Sequence, residues 1–452
     1  MNKKHIHILG ICGTFMGSLA IIARQEGFKV TGCDHDAYPP MSNLLKKNNI
    51  EVIKGWSKKQ VSLKPDIFII GNSLKRENEL VKSILEKKLN FISGPQWLYE
   101  NILKDKVVIS ISGTHGKTTT TSMVVHILSA IHKTPGYLIA GSTKGRANVS
   151  IGQSKYFVIE SDEYDSAFFD KRPKFVHYFP EFLVINNIEF DHADIFLNLQ
   201  EIKKQFEFLT RTLRGRAVVI GNYADKNIRS VLGQEKWFKV KWINKKCNWT
   251  YKLQKNNLKI SYGEKEISSI NFPMIGQFNA ENALNSIALV SSLGFNPKKA
   301  SLALENYCGV ERRQEIIYSS EDFILIDDFG HHPTAIRKTV DAIKHQYKKY
   351  KIIVIADLKS NSLKMGAHNE NLLDSFMNTD KTYLNTASIN WKIKDVFNNK
   401  DEKFNFFRHD QKLIMALKQT NLCEKTIFLF FSNANNYELK HSIISLLKEY
   451  EK

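Results

Sequence analysis

The chain has 452 residues, of which 42% are hydrophobic and 25% are charged. This length exceeds one ordinary core, so we expect two or three domains of a soluble globular protein. No apolar run approaches the roughly 20 residues that a membrane span requires. Histidines and glycines interrupt the N-terminal apolar stretch, unlike in a signal peptide, so we expect a cytoplasmic protein without a membrane partner.

The net charge of +19 arises from lysines that are spread along the whole chain. The sequence has no basic arm, zinc-finger spacing or aromatic RNA-binding motif, so this charge predicts no specific nucleic-acid partner. The five cysteines are scattered and show no C-x-x-C spacing. We therefore expect reduced thiols, and neither a disulfide framework nor a zinc site.

The first α/β block opens with a predicted strand from His5 to Leu9, a glycine turn and a helix that reaches Arg24. Further strands are predicted from Lys29 to Gly32, followed by Asp34, and from Asp66 to Ile70. This order of elements is typical of nucleotide-binding βαβ units. The glycine spacing is not the dinucleotide pattern G-x-G-x-x-G, so no nicotinamide cofactor is indicated. A purely structural βα turn explains the block nearly as well.

A phosphate-binding loop is the clearest signal of the second block. A β-branched strand leads into G-T-H-G-K-T-T, which starts at Gly113, and helical spacing follows. Gly113 and Gly116 let backbone N–H groups turn toward phosphate oxygens at a helix N-terminus. We expect Lys117 to reach the β- and γ-phosphates and the Thr118 hydroxyl to bind magnesium. The strict pattern has glycine where this chain has Ile111, and the alternative is a chance match in a loop.

A carboxylate stands at the end of the next predicted strand, Tyr156 to Glu160. Ligands of open α/β sheets bind beyond the carboxyl ends of the strands, and magnesium prefers oxygen ligands, so we expect Glu160 to bind the metal. For Asp162, Glu163 and Asp165, a solvated acidic turn is an equal alternative.

A histidine follows the predicted strand from Phe182 to Asn187. His192 lies between Asp191 and Asp194, in the same block as the phosphate loop. A lone histidine is more often a structural hydrogen-bonding group, but this setting favours a metal ligand.

The remaining predicted elements complete two α/β blocks. The second block continues with a helix from Leu199 to Arg211, a strand from Ala217 to Ile220, small antiparallel strands across 235–272 and a helix from Ala280 to Leu293. The third has strands from Phe323 to Ile326, Ile352 to Ala356 and Thr426 to Phe431, which predict another parallel sheet.

Two charged clusters accompany the third block. Arg312 and Arg313 lie at the predicted hinge, where closure of the domains would bring one of them to the γ-phosphate; two solvated arginines are an equal alternative. Asp327 to Thr334 forms a polar cluster after a strand. Its alternative interpretation is a helix start with Pro333 in the first turn and His332 as the cap.

Together these segments resemble the Mur ligase family of ATP-dependent amide-forming enzymes across essentially the whole chain. The segments that carry the resemblance are 7–17, 34–42, 113–120, 160–170, 187–196, 327–335 and 360–366. The resemblance also accounts for Ile111 in the phosphate loop. It is strongest to the branch that joins UDP-N-acetylmuramate to the cell-wall tripeptide L-alanyl-γ-D-glutamyl-meso-diaminopimelate during peptidoglycan recycling.

The resemblance implies an α/β chain of three domains. These are a Rossmann-like UDP-sugar domain at 1–105, a central phosphate-loop ATPase domain at 106–309 and a Rossmann-like C-terminal domain at 310–452 that contacts nucleotide and peptide. The implied cofactors are ATP and Mg²⁺, and no obligate protein partner is implied.

The resemblance assigns roles to particular residues. The implied catalytic set is Lys117, Glu160, His192, Arg312 and Arg313, with Thr118, Glu160 and His192 around magnesium. The implied ATP-binding set is Gly113, Thr114, His115, Gly116, Lys117, Thr118, Thr119, Asn279, Asn282 and Asp328. The implied UDP-sugar set is Gly10, Cys12, Gly13, Thr14, Gly17, Asp34, Asn72 and Ser73. The implied peptide set is His331, His332, Asp357, Ser360 and Asn361.

Two segments depart from the family pattern. Relatives have Glu-Pro-Arg where this chain has Asp357-Leu358-Lys359, and a glycine-rich turn where it has 431–437. Lysine in place of arginine loses bidentate carboxylate binding. Two alternatives therefore stay open: a ligase that adds L-alanine to the same UDP-sugar, and a nucleotide-binding regulatory protein without ligase activity.

Overall fold

The computed structural model describes residues 4–37, 39, 41–233, 237–397, 402–420, 422 and 425–451. Three mainly parallel sheets follow one another along the chain, and a two-stranded ribbon accompanies the second. The predicted α/β class is thereby confirmed. Short 3₁₀ turns lie at Lys58–Leu63, Leu103–Asp105, Lys174–His177, Leu304–Asn306 and Asp374–Phe376.

The first sheet has five parallel strands in the order β3-β2-β1-β4-β5. They are β1 (His5–Leu9), β2 (Lys29–Asp34), β3 (Glu51–Lys54), β4 (Ile67–Ile70) and β5 (Phe91–Ser93). Its helices are α1 (Thr14–Gln25), α2 (Met41–Lys47), α3 (Glu79–Glu86) and α4 (Gly94–Asn101). Every residue of β1 is buried, as expected of a central parallel strand covered on both faces.

The second sheet has ten strands in the order β17-β16-β15-β14-β13-β12-β6-β9-β7-β8. They are β6 (Val107–Ser112), β7 (Gly136–Leu138), β8 (Val149–Ser150), β9 (Tyr156–Glu160), β12 (Phe182–Ile185), β13 (Val218–Asn222), β14 (Lys239–Ile243), β15 (Trp249–Gln254), β16 (Asn257–Tyr262) and β17 (Lys265–Asn271), and the separate ribbon is β10 (Asp165–Ala167) with β11 (Asp170–Pro173). The predicted antiparallel strands are confirmed for β15 to β17. By contrast β14 runs parallel to β13, and residues 235–236 lie outside the described part.

The helices of this part are α5 (Lys117–Ala130), α6 (Leu199–Arg211), α7 (Lys226–Leu232), α8 (Gln277–Ser292) and α9 (Pro297–Ala303). The predicted bounds of α6 are confirmed, whereas α8 begins three residues before the predicted start. Both α5 and α8 are buried over most of their length and share one apolar cluster with the central strands. This packing fixes the phosphate loop at the start of α5 against the start of α8.

The third sheet has the strand order β18-β19-β23-β20-β21-β22, and among its described strands only β18 pairs antiparallel. Its strands are β18 (Glu315–Ser319), β19 (Phe323–Asp328), β20 (Lys351–Asp357), β21 (Lys381–Asn385), β22 (Phe404–Phe407) and β23 (Thr426–Ser432). Its helices are α10 (Pro333–Gln346), α11 (Asn361–Lys364), α12 (Asn369–Leu372), α13 (Ile393–Val396), α14 (Asp410–Lys418) and α15 (Tyr437–Tyr450). The alternative interpretation of the cluster at 327–334, a helix start with His332 as the cap, is confirmed for α10, because His332 Nδ1 accepts the Thr334 N–H at 3.2 Å.

The structure bears on two expectations from composition, which concern membrane spans and cysteines. In the part of the chain that is described, no helix combines the length and apolar character needed to cross a membrane. Cys12, Cys33, Cys247 and Cys308 are free thiols, whereas Cys423 lies outside the described residues.

Candidate active site

The phosphate loop lies between β6 and α5, and two glycines give it its shape. Gly113 has φ +125°, and a Cβ there would stand 3.0 Å from backbone atoms of Asn186 and Asn187. Gly116 has φ +78°, and a Cβ there would stand 2.6 Å from Asn282 Oδ1. Both positions combine a backbone conformation that favours glycine with a close neighbour, so the loop requires glycine twice.

Two asparagines after β12, which the sequence did not single out, hold the loop from outside. Asn187 Oδ1 accepts the His115 N–H at 2.8 Å, and Asn186 Nδ2 donates to the His115 carbonyl at 3.2 Å. Asn285 of α8 donates to Asn186 Oδ1 at 3.1 Å. Two consecutive asparagines at the end of a buried strand were the sequence signal that could have identified these residues.

Thr118 and Glu160, two of the three implied metal ligands, are in direct contact. The Thr118 hydroxyl donates to Glu160 Oε1 at 2.8 Å, and Glu160 Oε2 accepts the Ala140 N–H at 2.9 Å. The hydroxyl and the carboxylate are oxygen donors of the kind that Mg²⁺ prefers, and β6 and β9 hold them side by side. These residues therefore fit a magnesium ion.

His192, the third implied ligand, faces the same cavity but makes different contacts. Its Nε2 lies 3.1 Å from Glu163 Oε1, and its Nδ1 lies 2.7 Å from the Tyr164 hydroxyl. Burial lowers the pKa of His192, but the hydrogen bond to Glu163 and its charge outweigh burial and raise that pKa above its ordinary value.

Glu163 is a buried residue of the site and not part of a solvated turn. It is 2% exposed, and its Oε2 lies 3.7 Å from Lys117 Nζ. Burial raises the pKa of Glu163, but Lys117 and His192 outweigh this effect and lower the pKa to about 2. The sequence left this position open because a buried carboxylate and a solvated one have the same sequence pattern after a strand.

Lys117 itself folds back onto the loop. Its Nζ donates to the Gly113 carbonyl at 2.6 Å and to the Thr114 carbonyl at 3.3 Å. Burial lowers the pKa of Lys117, but the carboxylates of Glu163 and Glu160 raise it overall, so the side chain remains cationic. A buried cation next to a phosphate loop can neutralise a bound polyphosphate.

The two hinge arginines have different surroundings. Arg312 donates to Asp327 Oδ2 at 3.3 Å and to the carbonyls of Ser432 and Ala434 at 2.5 and 2.7 Å. Its backbone is left-handed, with φ +57°. The guanidinium of Arg313 lies 4.8 Å from the centre of the Phe329 ring and faces the cavity. Both arginines line the cavity, but Arg312 is held by hydrogen bonds to the third sheet, whereas Arg313 lies over the Phe329 ring.

A cavity of about 840 Å³ joins these groups. It is lined by all of the implied catalytic residues, by the loop residues 114–119, by Asn279, Asn282 and Asp328, and by Phe15 of the first α/β unit. Asn279 Nδ2 donates to Gln314 Oε1 at 3.0 Å, so the start of α8 contacts the hinge. Asp328 accepts the Gly330 and Gln314 N–H groups at 2.6 and 3.0 Å. The volume suits a nucleotide together with a second substrate.

The implied UDP-sugar residues cluster at the carboxyl ends of β1, β2 and β4. Asp34 Oδ2 accepts the Cys12 N–H at 2.8 Å, which ties β2 to the glycine turn, and Gly10 has φ +79° beside Ser73. A Cβ at Gly17 would stand 2.3 Å from the Met41 sulfur, so this glycine serves helix packing. Gly13 and Thr14 begin α1, and Asn72 is exposed next to Ser73.

The implied peptide residues divide into two groups. His331 and His332 line the cavity, and His332 Nε2 also lies 3.1 Å from the Phe190 carbonyl. Asp357 is 4% exposed; its carboxylate accepts from Ser432 Oγ at 3.0 Å, from Lys359 Nζ at 3.1 Å and from the side-chain amide of Asn436. The altered turn therefore binds the altered Asp-Leu-Lys segment.

Ser360 and Asn361 are engaged within the protein. The Ser360 hydroxyl accepts the Leu363 N–H at 3.3 Å and caps α11. Asn361 Nδ2 donates to Asp194 Oδ2 at 3.0 Å, across to the second sheet.

A further group of possible metal ligands lies beside the loop. His115, Glu189 and His332 offer ligand atoms within 4.8 Å of one another, and His115 Nε2 is 3.6 Å from Glu189 Oε2. Both ring nitrogens of His332 already have hydrogen-bond partners, in Phe190 and Thr334. The arrangement is accounted for by a His115–Glu189 pair and a helix cap.

Family profiles match the chain in three consecutive parts. The profile described as "Mur ligase family, catalytic domain" matches residues 5–105, "Mur ligase middle domain" matches 111–290, and "Mur ligase, glutamate ligase domain" matches 312–433. The chain belongs to the Mur ligase family. The predicted family, the three-part Mur ligase fold and the ligase class are thereby confirmed.

Individual Mur ligases match over most of their length. The chain is 40% identical over 398 residues to the Escherichia coli UDP-N-acetylmuramate–L-alanyl-gamma-D-glutamyl-meso-2,6-diaminoheptandioate ligase, covering 86% of this chain and 87% of that protein. It is 29% identical over 397 residues to the Ligilactobacillus salivarius UDP-N-acetylmuramate–L-alanine ligase, with 85% and 84% covered. The crystal structure of a murein peptide ligase from Psychrobacter arcticus covers 98% of both chains, with 32% identity and a TM-score of 0.74.

Proposed function

We propose that this Mur ligase joins the lactyl carboxylate of UDP-N-acetylmuramate to the amine of L-alanyl-γ-D-glutamyl-meso-diaminopimelate, with ATP converted to ADP and phosphate. The observation that carries the proposal is the Thr118–Glu160 pair beside the phosphate loop, in a cavity bordered by all three α/β parts. The 40% identity to the Escherichia coli tripeptide ligase supports this acceptor over L-alanine. The reaction belongs to peptidoglycan recycling in the cytoplasm. The three domains of the enzyme span residues 1–105, 106–309 and 310–452.

The first step activates an unreactive carboxylate. An oxygen of the lactyl carboxylate attacks the γ-phosphorus of ATP, ADP leaves, and an acyl phosphate forms. Lys117, the loop N–H groups and Arg313 neutralise charge on the transferring phosphoryl group. Thr118, Glu160 and His192 would hold Mg²⁺, which would offset phosphate charge when bound.

The second step forms the amide bond. The neutral amine of the tripeptide attacks the acyl carbon and forms a tetrahedral intermediate. This intermediate collapses as the C–O bond to phosphate breaks, and the departing phosphate carries away the proton that the amine loses. Water competes with the amine for the acyl phosphate, so the site has to be closed during this step. The interlocked segments of the second and third sheets, around Phe190 and His332, provide such closure.

Phosphate release from ATP tests the proposal. The full chain is assayed with UDP-N-acetylmuramate and Mg²⁺ plus either the tripeptide or L-alanine, and the product is identified by mass spectrometry. Release and a UDP-muramoyl tripeptide are expected with the tripeptide. Phosphate release with L-alanine but not with the tripeptide would show that L-alanine is the acceptor. The absence of phosphate release with either would favour the regulatory nucleotide-binding protein. Lys117→Ala is the matched negative control, and full ligation by this variant would overturn the mechanism.

A further inference from the structure

Two segments from different sheets interlock at the edge of the cavity. The Ser362 hydroxyl of α11 donates to Asp191 Oδ1 at 3.0 Å and accepts the Ala193 N–H at 3.2 Å. Next to it, Asn361 Nδ2 donates to Asp194 Oδ2 at 3.0 Å. Two consecutive residues of the third α/β unit thus bind three residues of the loop that follows β12.

The centre of this contact is shielded from water. Ser362 and Asp191 are each 4% exposed, and the buried His368 ring approaches Asp191 Oδ1 to 3.9 Å. The Ser362 hydroxyl therefore donates to a buried carboxylate, which makes its hydrogen bond stronger than a neutral one.

The residue enclosed by these contacts is His192. Its backbone is left-handed, with φ +56°, a conformation that non-glycine residues adopt only when the surroundings hold it. The His192 N–H donates to Asp191 Oδ1 at 2.7 Å, and its carbonyl accepts the N–H groups of Ile195 and Phe196 at 2.9 and 3.0 Å. Ser362 binds the residue before His192 and the residue after it.

We propose that Asn361 and Ser362 form an interdomain latch, which keeps His192 in its metal-binding position only while the C-terminal domain is closed on the central domain. The latch makes them positioning residues for the metal site. It couples closure to assembly of the site, so that phosphoryl transfer proceeds only when the acyl phosphate is protected from water. This inference rests on the proposed ligase reaction, in which His192 holds Mg²⁺.

The latch predicts different kinetics from direct peptide binding by the same segment. A latch residue acts through His192, so its loss raises the Mg²⁺ concentration for half-maximal ligation and lowers kcat. A residue that only binds the tripeptide changes the tripeptide KM and leaves the Mg²⁺ dependence unchanged.

A side-chain swap provides the sharpest test, because the Asn361–Asp194 pair is exposed and its substitution spares the core. Asn361→Asp opposes two carboxylates, and we expect at least a 10-fold fall in kcat and a raised Mg²⁺ midpoint. Asn361→Asp combined with Asp194→Asn exchanges donor and acceptor and keeps the net charge. We expect this double variant to regain most of the lost activity and the wild-type Mg²⁺ midpoint.

The buried hydroxyl is tested separately in the full chain. Ser362→Ala is expected to lower kcat about 10-fold and to raise the Mg²⁺ midpoint, with rescue by Ser362→Thr. The matched control is Ser375→Ala, which removes another buried hydroxyl of the same sheet unit, one that donates to the Asn371 carbonyl at 3.0 Å. This control should leave ligation unchanged.

Small-angle X-ray scattering gives a readout without turnover. The radius of gyration should increase in Asn361→Asp and return to the wild-type value in the double variant. If the wild-type chain fails to ligate, the proposed reaction fails while scattering still tests the latch. The latch is overturned if the double variant is as defective as Asn361→Asp, or if Asn361→Asp and Ser362→Ala leave both the Mg²⁺ midpoint and the radius of gyration unchanged.

Discussion

The Thr118 hydroxyl donates a 2.8 Å hydrogen bond to Glu160 Oε1, from the first turn of α5 to the end of β9. The two residues are 42 positions apart in the chain, yet the parallel pairing of β6 with β9 sets Glu160 opposite Ile111. Ile111 is a buried strand residue that precedes the turn, which explains why this loop needs no glycine there.

The Thr118–Glu160 pair predicts a selective loss of magnesium use. Thr118→Ala removes the hydroxyl and leaves Glu160 with its hydrogen bond from the Ala140 N–H, so ligation should fall about 10- to 100-fold with a raised Mg²⁺ midpoint. Thr118→Ser keeps the hydroxyl and should retain most activity. Titration of phosphate release with Mg²⁺ measures both variants, and equal loss in Ser and Ala variants would contradict a role for the hydroxyl.

The hinge arginines should separate activity from stability. Arg313 faces the cavity, so Arg313→Ala should lower kcat about 10²- to 10³-fold with little change in the thermal midpoint. Arg312→Ala removes the hydrogen bonds to the Ser432 and Ala434 carbonyls and leaves Asp327 with Lys440. It should therefore destabilise the third sheet by about 1–3 kcal/mol. Calorimetry combined with single-turnover kinetics distinguishes the two; a full kcat in Arg313→Ala would exclude it from phosphoryl transfer.

The turn at 432–436 should affect acceptor binding more than ATP binding. Asp357→Ala frees Lys359, Ser432 and Asn436 from their common partner, and we expect the tripeptide KM to rise about 10-fold while the ATP KM changes little. Asp380→Ala is the matched control, because it removes a carboxylate of the same sheet that bonds Lys344 and the Ile352 N–H. A parallel rise of both KM values would contradict a role in acceptor choice.

A buried histidine in β1 predicts a pH effect on stability. Burial lowers the pKa of His7 from 6.5 to about 4, although its hydrogen bond to Gln60 opposes the shift. The unfolded chain binds a proton near pH 6.5 and the folded chain only near 4, so stability falls as pH falls from about 6.5 toward 4. His7→Asn should flatten this dependence in thermal melts, whereas the exposed His35→Asn should not. An unchanged slope in His7→Asn would disprove the assignment.

Much of this fold follows from local sequence, because hydrophobic periodicity and strand-end polar residues depend on neighbours in the chain. The spacing alone predicts α6 and the strand from Tyr156 to Glu160 with their observed bounds. Glycine at 113 and 116 followed by Lys117 and Thr118 predicts a phosphate cradle, because few other residues permit positive φ next to a helix start.

Tertiary packing decided what local sequence left open. Whether Glu163 lies in a solvated turn or a buried site depends on Lys117 at the start of α5 and on His192 in the loop after β12. Arg312 and Arg313 are adjacent, chemically identical and both line the cavity, but Arg312 donates to the carbonyls of the 432–434 turn, whereas Arg313 lies over the Phe329 ring. Asn361 faces Asp194 across 167 positions of sequence. Contacts of this range depend on how the sheets pack, and no local pattern encodes them.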